Sequence, residues 1–247
     1  MQEVLYVLFL ALLPALGNFF GGLIAEFLHT SRINLNRVLH AAAGIIIAIV
    51  AVQLMPEALK GASAWVVALA FALGGIAYII VEAVIEGTLA TSTGAADQTG
   101  MWMIFIAVAS DLFSDGLMIG TGAAVSSSLA LILTLGQVLA NMPEGFATIA
   151  DFKDKQLPRT KRLLFLASFV VPSVLAALIA YLLLRQQSQA LKIGGLVFTA
   201  GLLTVAAVEG MIAEAHEATA DKRGSVLAFI GGFVLFTILT AGLKGAP

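Results

Sequence analysis

Two acids four residues apart, Asp111 and Asp115, fall inside an apolar run at 101–123, and a third, Glu144, falls inside the next run at 129–150. A residue pair at i, i+4 shares one face of a helix, with Cβ atoms about 6 Å apart. Asn141 and Glu144, three apart, share a face in the same way. Each ionised acid at bilayer depth costs roughly 2.5–3.5 kcal/mol, so three cost on the order of 7–10 kcal/mol. Two like charges this close repel unless a cation or a proton lies between them. No Lys or Arg falls within the apolar runs, so the chain supplies no counter-charge of its own. A bound cation, protons or channel water must do so. Asp111, Asp115, Asn141 and Glu144 are therefore the residues at which such a cation, protons or water would be held. Pro143 lies between the last two; it lacks an N–H and frees the carbonyl of Leu139, which at membrane depth is tolerated where it meets a cavity or an ion.

The elements that position these acids follow from composition. Of 247 residues, 60% are apolar and only 11% charged, with no cysteine and a mean hydropathy of +1.01. That leaves too little polar surface to coat a soluble globule and too much hydrocarbon for a disordered chain. The absence of cysteine excludes disulfides, thiolate metal sites and a cysteine nucleophile, and a net charge of −2 offers no basic patch for nucleic acid. Spanning the hydrocarbon core takes about 20 mostly apolar residues. Eight segments qualify, at about 4–27, 38–59, 64–85, 101–123, 129–150, 163–184, 193–215 and 226–243. The prediction is one all-α, polytopic transmembrane domain over 1–247.

Orientation follows from the basic residues. With the N-terminus outside, Arg32, Arg37, Lys153, Lys155, Arg159, Lys161, Arg162, Lys222 and Arg223 lie inside. Only Lys60, Arg185, Lys192 and Lys244 lie outside. Both termini are therefore expected outside a cell (inner or plasma) membrane.

Two internal similarities suggest a plan for the helices. Ala43-Gly44 is followed, thirteen residues after the glycine, by Glu57-Ala58, and Ala200-Gly201 by Glu214-Ala215 at the same spacing. These segments, the second and seventh, cross in opposite directions, as in an inverted repeat. The fourth and fifth share a frame of acid then glycine, at Asp115-Gly116 and Glu144-Gly145. Together they predict a 3+2+3 arrangement centred on the fourth and fifth helices. Further polar residues mark a pathway: Gln53 and Glu57 toward the outer end, Glu209, Glu214 and His216 toward the inner end. Glu82 and Glu86 read as interfacial acids, and His40 as a packed or solvated residue.

His40-Ala-Ala-Ala-Gly44, Gln53-Leu-Met-Pro-Glu57, Asp115-Gly116, Asn141-Met-Pro-Glu144-Gly145 and Glu209-Gly-Met-Ile-Ala-Glu214-Ala-His216 resemble the ZIP (Zrt/Irt-like) divalent metal transporters, in their compact prokaryotic branch. The resemblance covers nearly the whole chain. It implies eight helices, import of zinc, iron, manganese or similar ions into the cytoplasm, no required cofactor, and often a homodimer. It also implies that Asp115, Asn141 and Glu144 occupy ligand positions. The chain departs from the family pattern where Asp111-Leu112 replaces His-Asn, where Ala140 stands at a ligand position, and where Val171-Pro172-Ser173 lacks a glutamate. Fewer nitrogen donors favour harder ions such as Mn²⁺ or Mg²⁺ over Zn²⁺.

The expectation is a divalent cation transporter rather than an enzyme. Its partners are the metal ion and the bilayer. A metalloprotease would need a His-Glu-x-x-His set, and His216-Glu217 reaches Ala220 instead. The alternatives are a proton- or sodium-coupled solute transporter, which would use the same acids, and a non-transporting relative of the family.

Overall fold

The computed structural model describes residues 2–28, 31–91, 96–212 and 222–245. Among them there is no strand, and eight helices are long and apolar enough to cross a membrane. They are α1 (Gln2–Phe27), α2 (Arg32–Gly61), α3 (Ala64–Thr91), α4 (Ala96–Val125), α5 (Ser127–Asp154), α6 (Arg159–Leu184), α7 (Gln189–Val205, continuing as a π-helix over Ala206–Ile212) and α8 (Lys222–Gly245). The chain is thus a multi-pass membrane protein in its helices, as composition predicts.

Several helices run past the apolar windows because their ends have polar partners. Ser31, Ser126 and Ser188 cap α2, α5 and α7, each side-chain oxygen accepting from the backbone N–H three residues on, at 3.2–3.4 Å. α5 continues to Asp154 and closes with Gln156 in the left-handed region, φ 56°. There Gln156 N–H donates to the Lys153 carbonyl and Leu157 N–H to the Phe152 carbonyl, while Leu157 joins the cluster that holds Phe152. The expected long connection between α5 and α6 shrinks to 155–158. In α6 the helix is broken at Phe169, three residues before Pro172, which offers no N–H to the Ser168 carbonyl.

Neighbour relations form two groups. α1 lies along α5 and α4 along α6, while α2 lies along α8 and α3 along α7. The groups meet where α2 touches α5 and α4 touches α7. Glycines set the closest crossings. A Cβ at Gly44 would run into the Phe229 carbonyl of α8, and one at Gly232 into the Ala41 carbonyl of α2. Gly201 and Gly74 face the Phe71 and Phe198 carbonyls across α3 and α7 in the same reciprocal way. α2 carries its own π segment at Ile49–Leu54, which begins five residues after Gly44, as that of α7 begins five after Gly201. Each π segment carries a polar residue of the expected pathway, Gln53 and Glu209.

Ion pairs gather at the end where α1, α5 and the starts of α2 and α6 meet, called the basic end below. Glu26 accepts from Arg162 at 2.6 and 2.8 Å, Lys153 Nζ donates to the Glu26 carbonyl at 3.0 Å, and Arg32 pairs with Asp151 at 3.2 Å and with Asp154. Gly44→Ala and Gly201→Ala are each expected to cost about 1–3 kcal/mol through overpacking against backbone. Gly231→Ala, into open space, should stay within about 0.5 kcal/mol. Thermal unfolding of the detergent-purified variants checks this; equal melting temperatures for all three would contradict the close crossings.

Candidate cation site

α4 and α5 carry the four residues singled out by the sequence, and the structure divides them into two pairs. Asp115, 2% exposed, sits inside the group of α1, α4, α5 and α6. One of its oxygens accepts from Asn141 Nδ2 at 2.7 Å and the other from Gln137 Nε2. Gln137 and Asn141 are four residues apart, so both amides project from one face of α5 onto Asp115. Each lone-pair set of this buried carboxylate is met by an N–H, which is how an ion without a counter-charge is tolerated in low dielectric. Gly145 lies against the Asn18 carbonyl and Gly116 against the Ser173 carbonyl, so α5 on α1 and α4 on α6 are in backbone contact at this level. Ser173, in the Val171-Pro172-Ser173 stretch, donates to the Ala11 carbonyl at 2.9 Å and ties α6 to α1.

The second pair faces open space. Asp111 is half-buried, and its Oδ1 accepts from the Tyr78 hydroxyl of α3 at 3.4 Å; Glu144, on α5, is 5% exposed. Both acids line a cavity of about 1100 Å³ that runs between α3, α4 and α5 to the basic end. Its polar wall descends in helical steps: Tyr78 and Glu82 on α3, Ser110, Asp111 and Ser114 on α4, and Glu144, Thr148 and Asp151 on α5, with Arg32 at the mouth. The spacings i, i+4 and i, i+4, i+7 place each set on one face.

The four candidate residues thus fall into two groups in this structure. Asp115 and Asn141 bond to each other and do not line the cavity, whereas Asp111 and Glu144 do. Among the described residues, no three Asp, Glu or His side chains converge closely enough to hold a metal ion. Glu82, read as an interfacial acid, instead lines the cavity wall. The pathway residues lie elsewhere. Gln53 is buried in the π segment of α2, its Oε1 without a partner among the described residues. Glu57 is 3.8 Å from Lys60 near the far end of α2, and Glu209 is exposed on the π segment of α7; none of the three lines the cavity. Glu214, His216 and Glu217 fall outside the described residues. His40 is buried, its Nδ1 2.9 Å from the Asn36 carbonyl, consistent with a packing role.

The sequence pattern does not single out Gln137, Tyr78 or Thr148. The signal for Gln137 was present: a Gln in an apolar run, four residues before Asn141. Nothing in the spacing shows that α3 would turn Tyr78 toward Asp111.

The chain matches no protein-family model, and no curated protein matches it significantly.

Because Gln137 supplies half of the donors that hold Asp115, Gln137→Leu should destabilise the protein by about 1.5–3 kcal/mol. Gln186→Leu, at an exposed position, should change stability by less than about 0.5 kcal/mol. Unfolding in detergent compares the two; a Gln137→Leu protein as stable as the parent would remove the Asp115 bridge from the account.

Proposed function

We propose that the chain is a divalent metal cation transporter of the ZIP type. The observation that carries the reading is that Asp111 and Glu144, two carboxylates midway along membrane-length helices and in apolar runs that hold no Lys or Arg, line one cavity. A hydrated divalent ion between them supplies the missing positive charge. The donors around the pair are all oxygens, from Tyr78, Ser110, Ser114 and Thr148. Two carboxylates plus retained water is the coordination that Mg²⁺ and similar hard ions accept, whereas Zn²⁺ prefers four nitrogen or sulfur ligands. Mn²⁺ and Mg²⁺ are thus the favoured cargo. The cavity faces the end rich in Lys and Arg, the cytoplasmic end on the charge rule, so the conformation is one that releases its ion inward.

Packing supports the 3+2+3 inverted repeat. Exchanging α1 with α6, α2 with α7, α3 with α8 and α4 with α5 turns each main neighbour pair into another: α1–α5 becomes α6–α4, and α2–α8 becomes α7–α3. The π segments at equal distance from Gly44 and Gly201 follow the same exchange. Asp115 and Glu144 are then equivalent positions, one held by amides and the other turned to the cavity. In the transport cycle Asp115 and Asn141 join the ligand set when the cavity opens to the opposite side.

Uptake of a Mn²⁺, Mg²⁺, Fe²⁺ and Zn²⁺ panel into proteoliposomes tests the reading, with the parent chain beside Glu144→Ala, Asp111→Ala and Asp115→Ala. The expected result is a loss of at least about tenfold in each variant, corresponding to about 1.4 kcal/mol or more of lost cation binding. Uptake equal to the parent in all three would sink the assignment. Protons compete with the ion for carboxylate oxygens. Uptake should therefore fall as the pH on the loading side is lowered, and a rise on acidification would point to a proton-driven solute carrier instead.

A further inference from the structure

The cavity is much larger than its carboxylates require. A divalent ion with six waters occupies roughly 180 Å³ at about 30 Å³ per water, against a cavity of about 1100 Å³. Most of the remaining wall is hydrocarbon: Val81 and Ile85 from α3, Met103 and Phe113 from α4, Phe198 and Leu202 from α7. Val81, Met103 and Phe113 are themselves exposed, and α3 packs along α7 rather than along α4. The cleft is therefore open sideways between α3 and α4, which for helices that span a bilayer is the hydrocarbon phase. Its one strongly polar side carries Asp111, Glu144 and Glu82 with the Tyr78 ring among them. A small ion gains nothing from apolar walls. A ligand that carries a positive charge on an apolar body gains from both sides, the pattern of a small-molecule site with a few placed polar groups in a largely apolar hollow.

We propose that this cleft binds amphipathic organic cations, such as a lipophilic amine or phosphonium. The apolar body lies against Phe113, Phe198 and Leu202, and the charge sits over Asp111 and Glu144. Such a ligand reaches the site from the bilayer between α3 and α4, without passing the Arg32–Asp151 pair at the mouth. The Tyr78 ring adds a π face for the cation. Binding requires ionised carboxylates and the apolar wall, and holds whether or not the same carboxylates carry a metal ion. Where they do, the organic cation and the metal ion exclude one another, and the amphiphile acts as a competitive blocker.

Equilibrium dialysis of radiolabelled tetraphenylphosphonium against the full chain in dodecyl maltoside tests the proposal, with empty micelles as the blank. Saturable binding near one per chain is expected, weakened about tenfold or more by Asp111→Asn and by Glu144→Gln. Phe198→Ala should weaken it by about three- to tenfold through lost apolar contact. The amine 4-phenylbutylamine should displace the probe, while its neutral analogue 4-phenylbutanol at the same concentration should not. No saturable binding above the micelle blank overturns the proposal. So does equal displacement by the alcohol, which would mark the cleft as an acyl-chain groove. Should the carboxylate variants fail to fold, the comparison of amine with alcohol on the unaltered chain decides. Mn²⁺ binding measured on the same samples separates the two readings: Mn²⁺ bound without the phosphonium leaves the transporter and removes this site, and the phosphonium bound without Mn²⁺ does the reverse.

Discussion

The structure depends on carboxylates carried deep in apolar runs that hold no Lys or Arg. Asp115 is 2% exposed and Glu144 5%, and both sit in helices of membrane-spanning length. A carboxylate in hydrocarbon is tolerated only when its oxygens are met, by donors, by a cation or by trapped water. The protein uses two different solutions a few residues apart. Asp115 is met by two amides from one face of α5. Asp111 accepts from the Tyr78 hydroxyl and, together with Glu144, lines the cavity.

That division depends on how closely the helices approach. Gly116 and Gly145, each next to an acid, bring α4 and α5 into backbone contact with α6 and α1. Across the separate contact of α4 with α5, the amides of Gln137 and Asn141 reach Asp115. At the basic end, Glu26 with Arg162 and Lys153 joins α1, α5 and α6 into one body. α3 is tied less closely to this body, and the cavity opens along its polar face. The same feature that gives Asp111 and Glu144 a path to water gives the site an apolar wall.

Much of this was legible in the chain. The eight helices were visible because hydrocarbon windows of spanning length are unambiguous, and their centres agree with the structure. Their ends were underestimated, since Ser caps, the Gln156 turn and the ion pairs of Asp151 and Asp154 sustain helix beyond the apolar run. Asp111, Asp115, Asn141 and Glu144 stood out because an acid or amide in such a window has few bland explanations. Gln137 and Glu82 escaped for opposite reasons. Gln137 has no acid within four residues of it in the chain, and a Glu near a helix end usually faces water. Both acquire meaning only from the residue across the interface.

By itself, then, the sequence determined that this is a multi-pass membrane protein, that its cations keep to the helix ends and that several acids sit deep in the spans. Those conclusions rest on composition and spacing, which act within one helix. The tertiary structure decided which acids meet amides and which meet a cavity, and that α3 supplies the wall holding Tyr78 and Glu82. It also placed Asp115 with Asn141 in the helix packing, and Asp111 and Glu144 on the cavity wall. Helical periodicity specifies which residues share a face, but not which helix that face will meet. Partner choice comes from close packing between elements far apart in the chain, such as Asn141 on α5 against Asp115 on α4, or Tyr78 against Asp111.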